Sequence, residues 1–505
     1  MQTRTTPYAD VAGPLGGTAF FGHPRGLATL FFTEMWERAS YYGMRALLIL
    51  FMTAAVTGDN PGMGLEVATA GAIYGIYSGM VYLLALPGGW VADNLWGQRK
   101  AVFVGGCVIA AGHFSMAIPS DQTFFLGLIL IVIGTGLLKP NVSTMVGEIY
   151  PEGGARRDAG FSIFYMGINV GALFGPLITS LLGESYNWHW GFSAAGFGMV
   201  LGLIQYKRGE RYLGTAGLLD TPVDSTALAL RSRRFFSGFF ALAALVAVFA
   251  LLVSRGMLPL TTPQVASGLG YGILILAVLY FAYLILFGGH TNDEKKRLLV
   301  IFWLFLLAAV FWSGFEQAGS SLNLFAAELT DRSVFGWQMP AGFLQSVNPV
   351  MIIVMAPVFG WLWMWLAQRN ANPSIPVKFA LGLLGLAAGF IVLAWGSVNA
   401  TPGNLLSPSW LIVTYFLHTC GELALSPVGL SSITKLSPAG RVGQMMGVWF
   451  VGASLGNFVA GVVAGGLGNK PPSELFLSVA MIIGGVGFFA LLMSPGVKKL
   501  MGRVE

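Results

Sequence analysis

Four ionisable residues, Glu34, Glu37, Arg38 and Arg45, stand inside a stretch (Leu27 to Phe51) that is otherwise apolar enough to cross a membrane. A charged side chain at the centre of a bilayer costs about 2.5–3.5 kcal/mol on insertion scales, so such groups face protein or water. At about 100° per residue these four, with Tyr41 and Tyr42, share one helical face of roughly 140°. The opposite face is apolar. A helix of this kind lines a polar cavity, and the i,i+3 and i,i+4 spacing of acids and bases lets them pair. The chemistry on offer is exchange of a carboxylate's cationic partner for a proton.

Three more ionisable residues are isolated within apolar runs: Lys139, Glu316 and Glu422. Each lies several residues inside its run and is expected to line a cavity. Four acids (Glu34, Glu37, Glu316, Glu422) then face three bases (Arg38, Arg45, Lys139). An uncompensated buried charge is costly, so the cavity holds an extra proton or awaits a cationic ligand. Glu34, Glu37, Arg38 and Lys139 sum to zero in the N-terminal half. Glu316 and Glu422 leave the C-terminal half acidic, with Arg45 able to reach across. That division suits a zwitterion. Tyr41, Tyr42, Tyr77, Trp312 and Trp449 are candidate pocket walls or core packing, and Asn169, Asn323 and Asn348 can hydrogen-bond a ligand backbone. Lys139-Pro140, Gly175-Pro176, Asn348-Pro349 and Ser426-Pro427 mark points where helices lose a backbone bond, which membranes tolerate beside cavities.

The elements that must position these groups are membrane helices. The 505 residues are 55% hydrophobic and only 10% charged, against about 25% charged in a soluble domain. Runs long enough to span about 30 Å of hydrocarbon lie near 27–56, 66–92, 99–118, 124–150, 158–183 and 190–206. Two follow near 235–255 and 265–288, and six more near 297–326, 341–369, 376–396, 408–434, 440–467 and 474–494. The expected architecture is an all-α polytopic membrane protein with fourteen spans, grouped 6 + 2 + 6. Its domains are a first six-helix bundle (1–210), a linker with two additional helices (211–296) and a second bundle (297–505). The inserted pair has no buried ionisable residue and is read as peripheral.

Basic residues set the orientation. One set of loops carries Arg99, Lys100, Arg156, Arg157, Lys207, Arg208, Arg211, Arg231, Arg233, Arg234, Lys295–Arg297, Arg369, Lys378, Lys435 and Arg441, and the tails Arg4, Arg25, Lys498, Lys499 and Arg503 go with it. The opposite side has only Arg255, Arg332 and Lys470. By the positive-inside rule both termini are cytoplasmic. Residues 1–26 do not read as a secretory signal peptide, because the first apolar run is too long for one. The net charge of +6 follows topology and does not point to nucleic acid. Cys107 and Cys420 are read as packing, with no metal or redox spacing.

Two six-helix halves suggest a major facilitator architecture, built from repeats around a midplane site. Gly89-Trp-Val-Ala-Asp93-Asn-Leu-Trp-Gly97-Gln-Arg99-Lys100 resembles that superfamily's loop motif G-x-x-x-D-x-x-x-G-x-R-K, with one residue more before the second glycine. Asp93 can cap or pair at a helix end there, and Arg99 and Lys100 are expected to anchor at headgroups.

Three further motifs narrow the resemblance. Glu34-Met-Trp-Glu37-Arg38-Ala-Ser-Tyr41-Tyr42-Gly43 is similar to the E-x-x-E-R-x-x-Y-Y-G signature of the proton-coupled oligopeptide transporter family. Phe164-Tyr165-Met-Gly-Ile-Asn169-Val-Gly171 resembles its F-Y-x-x-I-N-x-G, and Gly421-Glu422-Leu-Ala-Leu-Ser426-Pro427 its G-E-x-x-x-S-P. Two extra helices between the halves are the pattern of its bacterial members. The resemblance implies proton coupling by Glu34, Glu37, Arg38 and Lys139, with Glu316 pairing Arg45 in an extracellular gate. It implies peptide-carboxylate contacts from Arg45 and Lys139 and a peptide-amine contact from Glu422. Asn169 and Asn348 would bind the peptide backbone, and Tyr41, Tyr77, Trp312 and Trp449 would shape side-chain pockets; Tyr42 and Ser426 join this substrate-binding set. Animal relatives carry a histidine where this chain has Ser78, so proton sensing here rests on carboxylates. His418 is expected to pack or hydrogen-bond.

The expected function is a proton-coupled symporter of the cell (inner) membrane that imports di- and tripeptides by alternating access. It would act as a monomer, with protons as coupling ion and no cofactor. The alternatives are a transporter of another solute, such as nitrate or a drug, or a non-transporting peptide receptor. An enzyme would need a nucleophile–base pair or a metal cluster, and the five histidines at 23, 113, 189, 290 and 418 are scattered.

Overall fold

The computed structural model describes residues 20–151, 154–219, 225–438 and 440–502; Arg4 and Arg503 lie outside the described residues. Among them the long helical segments are α1 (Arg25–Thr53), α2 (Val67–Trp96), α3 (Gln98–Met116), α4 (Asp121–Glu148), α5 (Gly154–Ser185) and α6 (Trp188–Gly209). Then come α7 (Ser225–Ser254), α8 (Thr262–Phe287), α9 (Asn292–Leu329) and α10 (Ala341–Gln368). The last four are α11 (Ile375–Gly396), α12 (Ser409–Leu436), α13 (Val442–Gly465) and α14 (Pro472–Met501). Eleven are long and apolar enough to cross a membrane by length and composition. The exceptions are α1, with its buried charges, α3, which opens on Gln98-Arg99-Lys100, and α6, which ends on Lys207-Arg208-Gly209.

By contact the chain divides into two compact units. The first holds α1 as far as Ser40, Leu84–Gly171 and Gly196–Val265. Its helices meet through small residues: a side chain at Gly105 would stand 2.6 Å from the Gly134 carbonyl, and one at Gly112 2.8 Å from that of Gly127. Such faces let backbones approach closely where lipid supplies no hydrophobic drive. Leu27, Leu30, Val102, Ile109, Leu138, Val142, Phe164 and Met199 form its core. α7 touches this unit mainly by aromatic stacking, Phe235 on Trp90 (5.1 Å) and Phe236 on Trp96 (5.9 Å). Its remaining apolar side chains, such as Phe240 and Leu245, are exposed, as a peripheral membrane helix requires. It starts ten residues before the apolar run suggested, so Arg231, Arg233 and Arg234 are helical.

The second unit holds Tyr41–Leu83, Ala172–Ala195 and the chain from Ala266 onward. Here α2 lies on α13 at glycine-to-glycine contacts: a Cβ on Gly75 would stand 2.8 Å from Gly461 Cα, and one on Gly71 2.7 Å from the Gly461 carbonyl. α8 is seated by Ile273 against Phe305, Ala309, Leu455 and Phe458. α11 and α12 pack through Gly382 and Gly421.

Three local expectations change. The extra residue of the loop motif is absorbed by a π turn over Ala92–Trp96, closed by Gly97 N–H to the Ala92 carbonyl at 2.8 Å. Asp93 accepts from the Gln98 side chain, Nε2 to Oδ1 at 2.9 Å, so it pairs with a side chain across the turn and caps no backbone N–H. Arg99, however, is not a headgroup anchor: its guanidinium donates to the carbonyls of Ala216 (2.6 Å) and Gly214, satisfying turn carbonyls that have no helical partner. Asn348-Pro349 is not a helix break either. A 3-10 stretch (Ala341–Ser346) precedes the α-helix that opens at Val347, so Pro349 occupies a first turn, where a missing N–H costs nothing. Finally, Cys107 is exposed rather than packed; Cys420 is half-buried.

Candidate functional site

In the first unit the sequence of α1 places Glu34, Glu37 and Arg38 on one buried face. Arg38 Nη2 donates to Glu37 Oε1 at 2.6 Å while Nε donates to Oε2, a two-point fork. The same Nε lies 3.3 Å from Glu34 Oε1. Glu34 Oε2 is buried and makes no hydrogen bond. Lys139, on α4 just before Pro140, is near enough for its charge to act on Glu34. Two carboxylates thus share one guanidinium. On α5, Gly171 explains the glycine of its signature: a Cβ there would overlap the Met35 carbonyl and stand 2.9 Å from Ala39 N. Asn169 is buried and gives an amide N–H to the Tyr165 carbonyl at 3.0 Å.

In the second unit Arg45 Nη1 bonds Glu316 Oε2 at 2.8 Å, both side chains buried. Glu316 heads a 3-10 turn (Glu316–Gly319) that interrupts α9. The Arg45 guanidinium lies 5.0 Å above the Tyr42 ring, and Tyr41 stacks at 6.3 Å on Tyr77. Gly319 leaves room for the Tyr74 hydroxyl and Arg45 Nε. Across the sequence, Asn348 Nδ2 donates to Thr419 Oγ1 at 2.9 Å and to Glu422 Oε2 at 3.3 Å. Glu422 is buried, and among the described residues no ion pair involves it. Ser426 Oγ, one turn on, is buried and unpartnered. Trp449 fills the space opened by Gly429 and meets the Phe379 ring edge-on at 6.2 Å. Trp312 is half-buried with its indole N–H unpartnered. Asn323 spends its amide on the Ala46 carbonyl at 2.8 Å, which makes it a fastening between helices. His418 packs on Phe390 (4.7 Å).

The sequence reading omitted Tyr74 and Tyr415, fully buried tyrosines whose hydroxyls have no partner and whose positions put them in electrostatic range of Arg45. Tyr74 lies one turn from Tyr77 on the same face, which was the available signal. Among the described residues no group of His, Cys, Asp or Glu is arranged to hold a metal.

The POT family model (PTR2) matches residues 99–473. The peptide transporter YePEPT of Yersinia enterocolitica is 43% identical over all of this chain and 99% of its own. A di-/tripeptide transporter of Lactococcus lactis is 38% identical over 96% of this chain and 98% of its own. Among solved structures, peptide transporter POT in complex with sulfate aligns with a TM-score of 0.87 at 39% identity, covering 98% of this chain and 100% of the other. A POT family transporter in complex with 5-aminolevulinic acid aligns with a TM-score of 0.86 at 33% identity, over 96% and 98%. A family model spanning most of the sequence and relatives of this identity over nearly its full length settle the matter: the chain belongs to the POT family of membrane transporters.

Proposed function

We propose that this protein is a proton-coupled symporter that imports di- and tripeptides by alternating access. The observation that carries the reading is Glu422, a buried carboxylate held by Asn348 that makes no ion pair among the described residues. A buried carboxylate is stable when a cation or proton completes it, and a peptide's ammonium is such a cation. The peptide carboxylate is assigned to Arg45 and Lys139. The 5-aminolevulinic acid held by a solved relative likewise carries an amine at one end and a carboxylate at the other. Tyr41, Tyr42, Tyr77, Asn169, Trp312, Asn348, Ser426 and Trp449 complete the proposed substrate-binding set. Glu34, Glu37, Arg38 and Lys139 are assigned to proton coupling, with Glu316 in the gate. The two bundles, 1–210 and 297–505, alternate about the site, with both termini cytoplasmic in the inner membrane and the monomer as working unit.

The test is uptake into proteoliposomes under an imposed pH gradient. Accumulation of labelled dialanine above equilibrium, collapsed by an uncoupler and competed by di- and tripeptides but not tetrapeptides, is the expected result. Equilibration without accumulation would remove the coupling, and indifference to peptides would remove the substrate.

A further inference from the structure

Glu184 sits at the last turn of α5, where an acidic residue ending an apolar run ordinarily points into water. It does not here: its side chain is only 12% exposed. Its two oxygens accept from two consecutive backbone N–H groups, Oε2 from Ala341 at 2.6 Å and Oε1 from Gly342 at 2.9 Å. These are the first residues of α10, whose opening N–H groups have no helical acceptor. The approach is close because residue 342 is glycine; a Cβ there would overlap Ser180 Oγ, one turn before Glu184, and stand 3.2 Å from Ala46 Cβ.

Arg332 braces the same corner. It donates to the carbonyls of Met339 (2.6 Å) and Ala327 (3.0 Å) and stands 4.0 Å from Glu184 Oε2. It thereby holds the short hairpin Ser333–Val334 with Trp337–Gln338 that leads into Ala341. Glu184, Glu328, Arg332, Trp188 and Trp337 line a cavity of about 640 Å³. None of the coupling or substrate-binding residues named above lines it.

We propose that Glu184 is a gating latch: its carboxylate ties the end of α5 to the start of α10 and holds the outer mouth of the transport path shut. The inference rests on the alternating-access reading, in which α5 and α10 belong to bundles that must part for the mouth to open. An anionic acceptor aimed at backbone donors suits this work. Two charge-assisted bonds hold the closed state, and on opening the carboxylate returns to water. Only a group with different contacts in the two states can shift their balance. Glutamine at 184 presents an NH2 to one of the two N–H groups, so it keeps one bond and opposes the other.

The test uses full-length protein in right-side-out vesicles with Cys107 and Cys420 changed to serine and a reporter Gln345→Cys, a buried position at the start of α10. A membrane-impermeant maleimide is added outside, without substrate. Glu184→Gln is expected to raise the labelling rate about tenfold, the differential energy of one charged hydrogen bond. Arg332→Gln, which leaves both backbone bonds in place, is expected to raise it less. A second reporter, Ser431→Cys near the C-terminal, cytoplasmic end of α12, labelled in inside-out vesicles, is expected to slow in Glu184→Gln. A general loosening would speed both reporters and overturn the latch, as would an unchanged rate at position 345. Failure of peptide accumulation by the parent protein would sink the transport reading without touching the labelling result, so the two failures are distinguishable.

Discussion

The two charged clusters are built in opposite ways. In the first unit Glu34, Glu37 and Arg38 lie within five residues of one helix, so the cluster exists as soon as α1 forms and its bonds join neighbours in sequence. In the second, Arg45 meets a residue 271 positions away and Asn348 one 74 away. Those bonds exist only when distant helices are in contact. A cluster on one helix can change its protonation without moving the fold, whereas a pair spanning two helices records whether they are together. Under the proposed function the first carries the proton and the second holds the closed conformation.

The largest effect expected from breaking this contrast is in coupling. Glu37→Gln removes the fork on Arg38, and Lys139→Ala removes the charge acting on Glu34. Either is expected to abolish pH-gradient-driven accumulation while peptide binding, read by calorimetry, persists. Wild-type accumulation in both variants would take the α1 cluster out of the coupling mechanism. Next is Glu316→Gln, which strands the Arg45 guanidinium. Removing one partner of a buried pair costs about 3–5 kcal/mol, so the thermal midpoint in detergent should fall. Spin-label distances between the outer ends of α1 and α9 should lengthen, because in the proposed gate this bond holds the outer side closed. Unchanged distances would mean that the pair is structural only. A smaller effect is expected from Gly75→Ala, where a methyl would meet Gly461 Cα at 2.8 Å. Overpacking of this kind costs about 1–3 kcal/mol, visible as a lower midpoint, and a midpoint equal to wild type would show that α2 and α13 adjust freely.

How legible each cluster was in the sequence follows the same contrast. Glu34, Glu37 and Arg38 could be read from helical spacing alone, because their partners sit one turn away. The membrane helices could be read from run length, except that the charged start of α7 hid ten of its residues. The Arg45–Glu316 pairing came from resemblance, since no local rule connects residues so far apart. Arg99 was misjudged because a basic residue in a loop ordinarily faces headgroups; only the fold brings the carbonyls of Gly214 and Ala216 to it. Glu184 was passed over for the same reason. Its partners are backbone N–H groups, which leave no trace in side-chain chemistry.

Whether Glu422 receives the peptide amine is read from one ratio: the inhibition constant of N-acetyl-dialanine over that of dialanine. Losing one partner of a buried charge pair costs about 2–5 kcal/mol, so in the wild type acetylation should weaken competition roughly 30- to several-thousand-fold. In Glu422→Gln the ratio should collapse towards one, since neither ligand then finds a carboxylate. An acetylation penalty as large in Glu422→Gln as in the wild type would contradict the assignment.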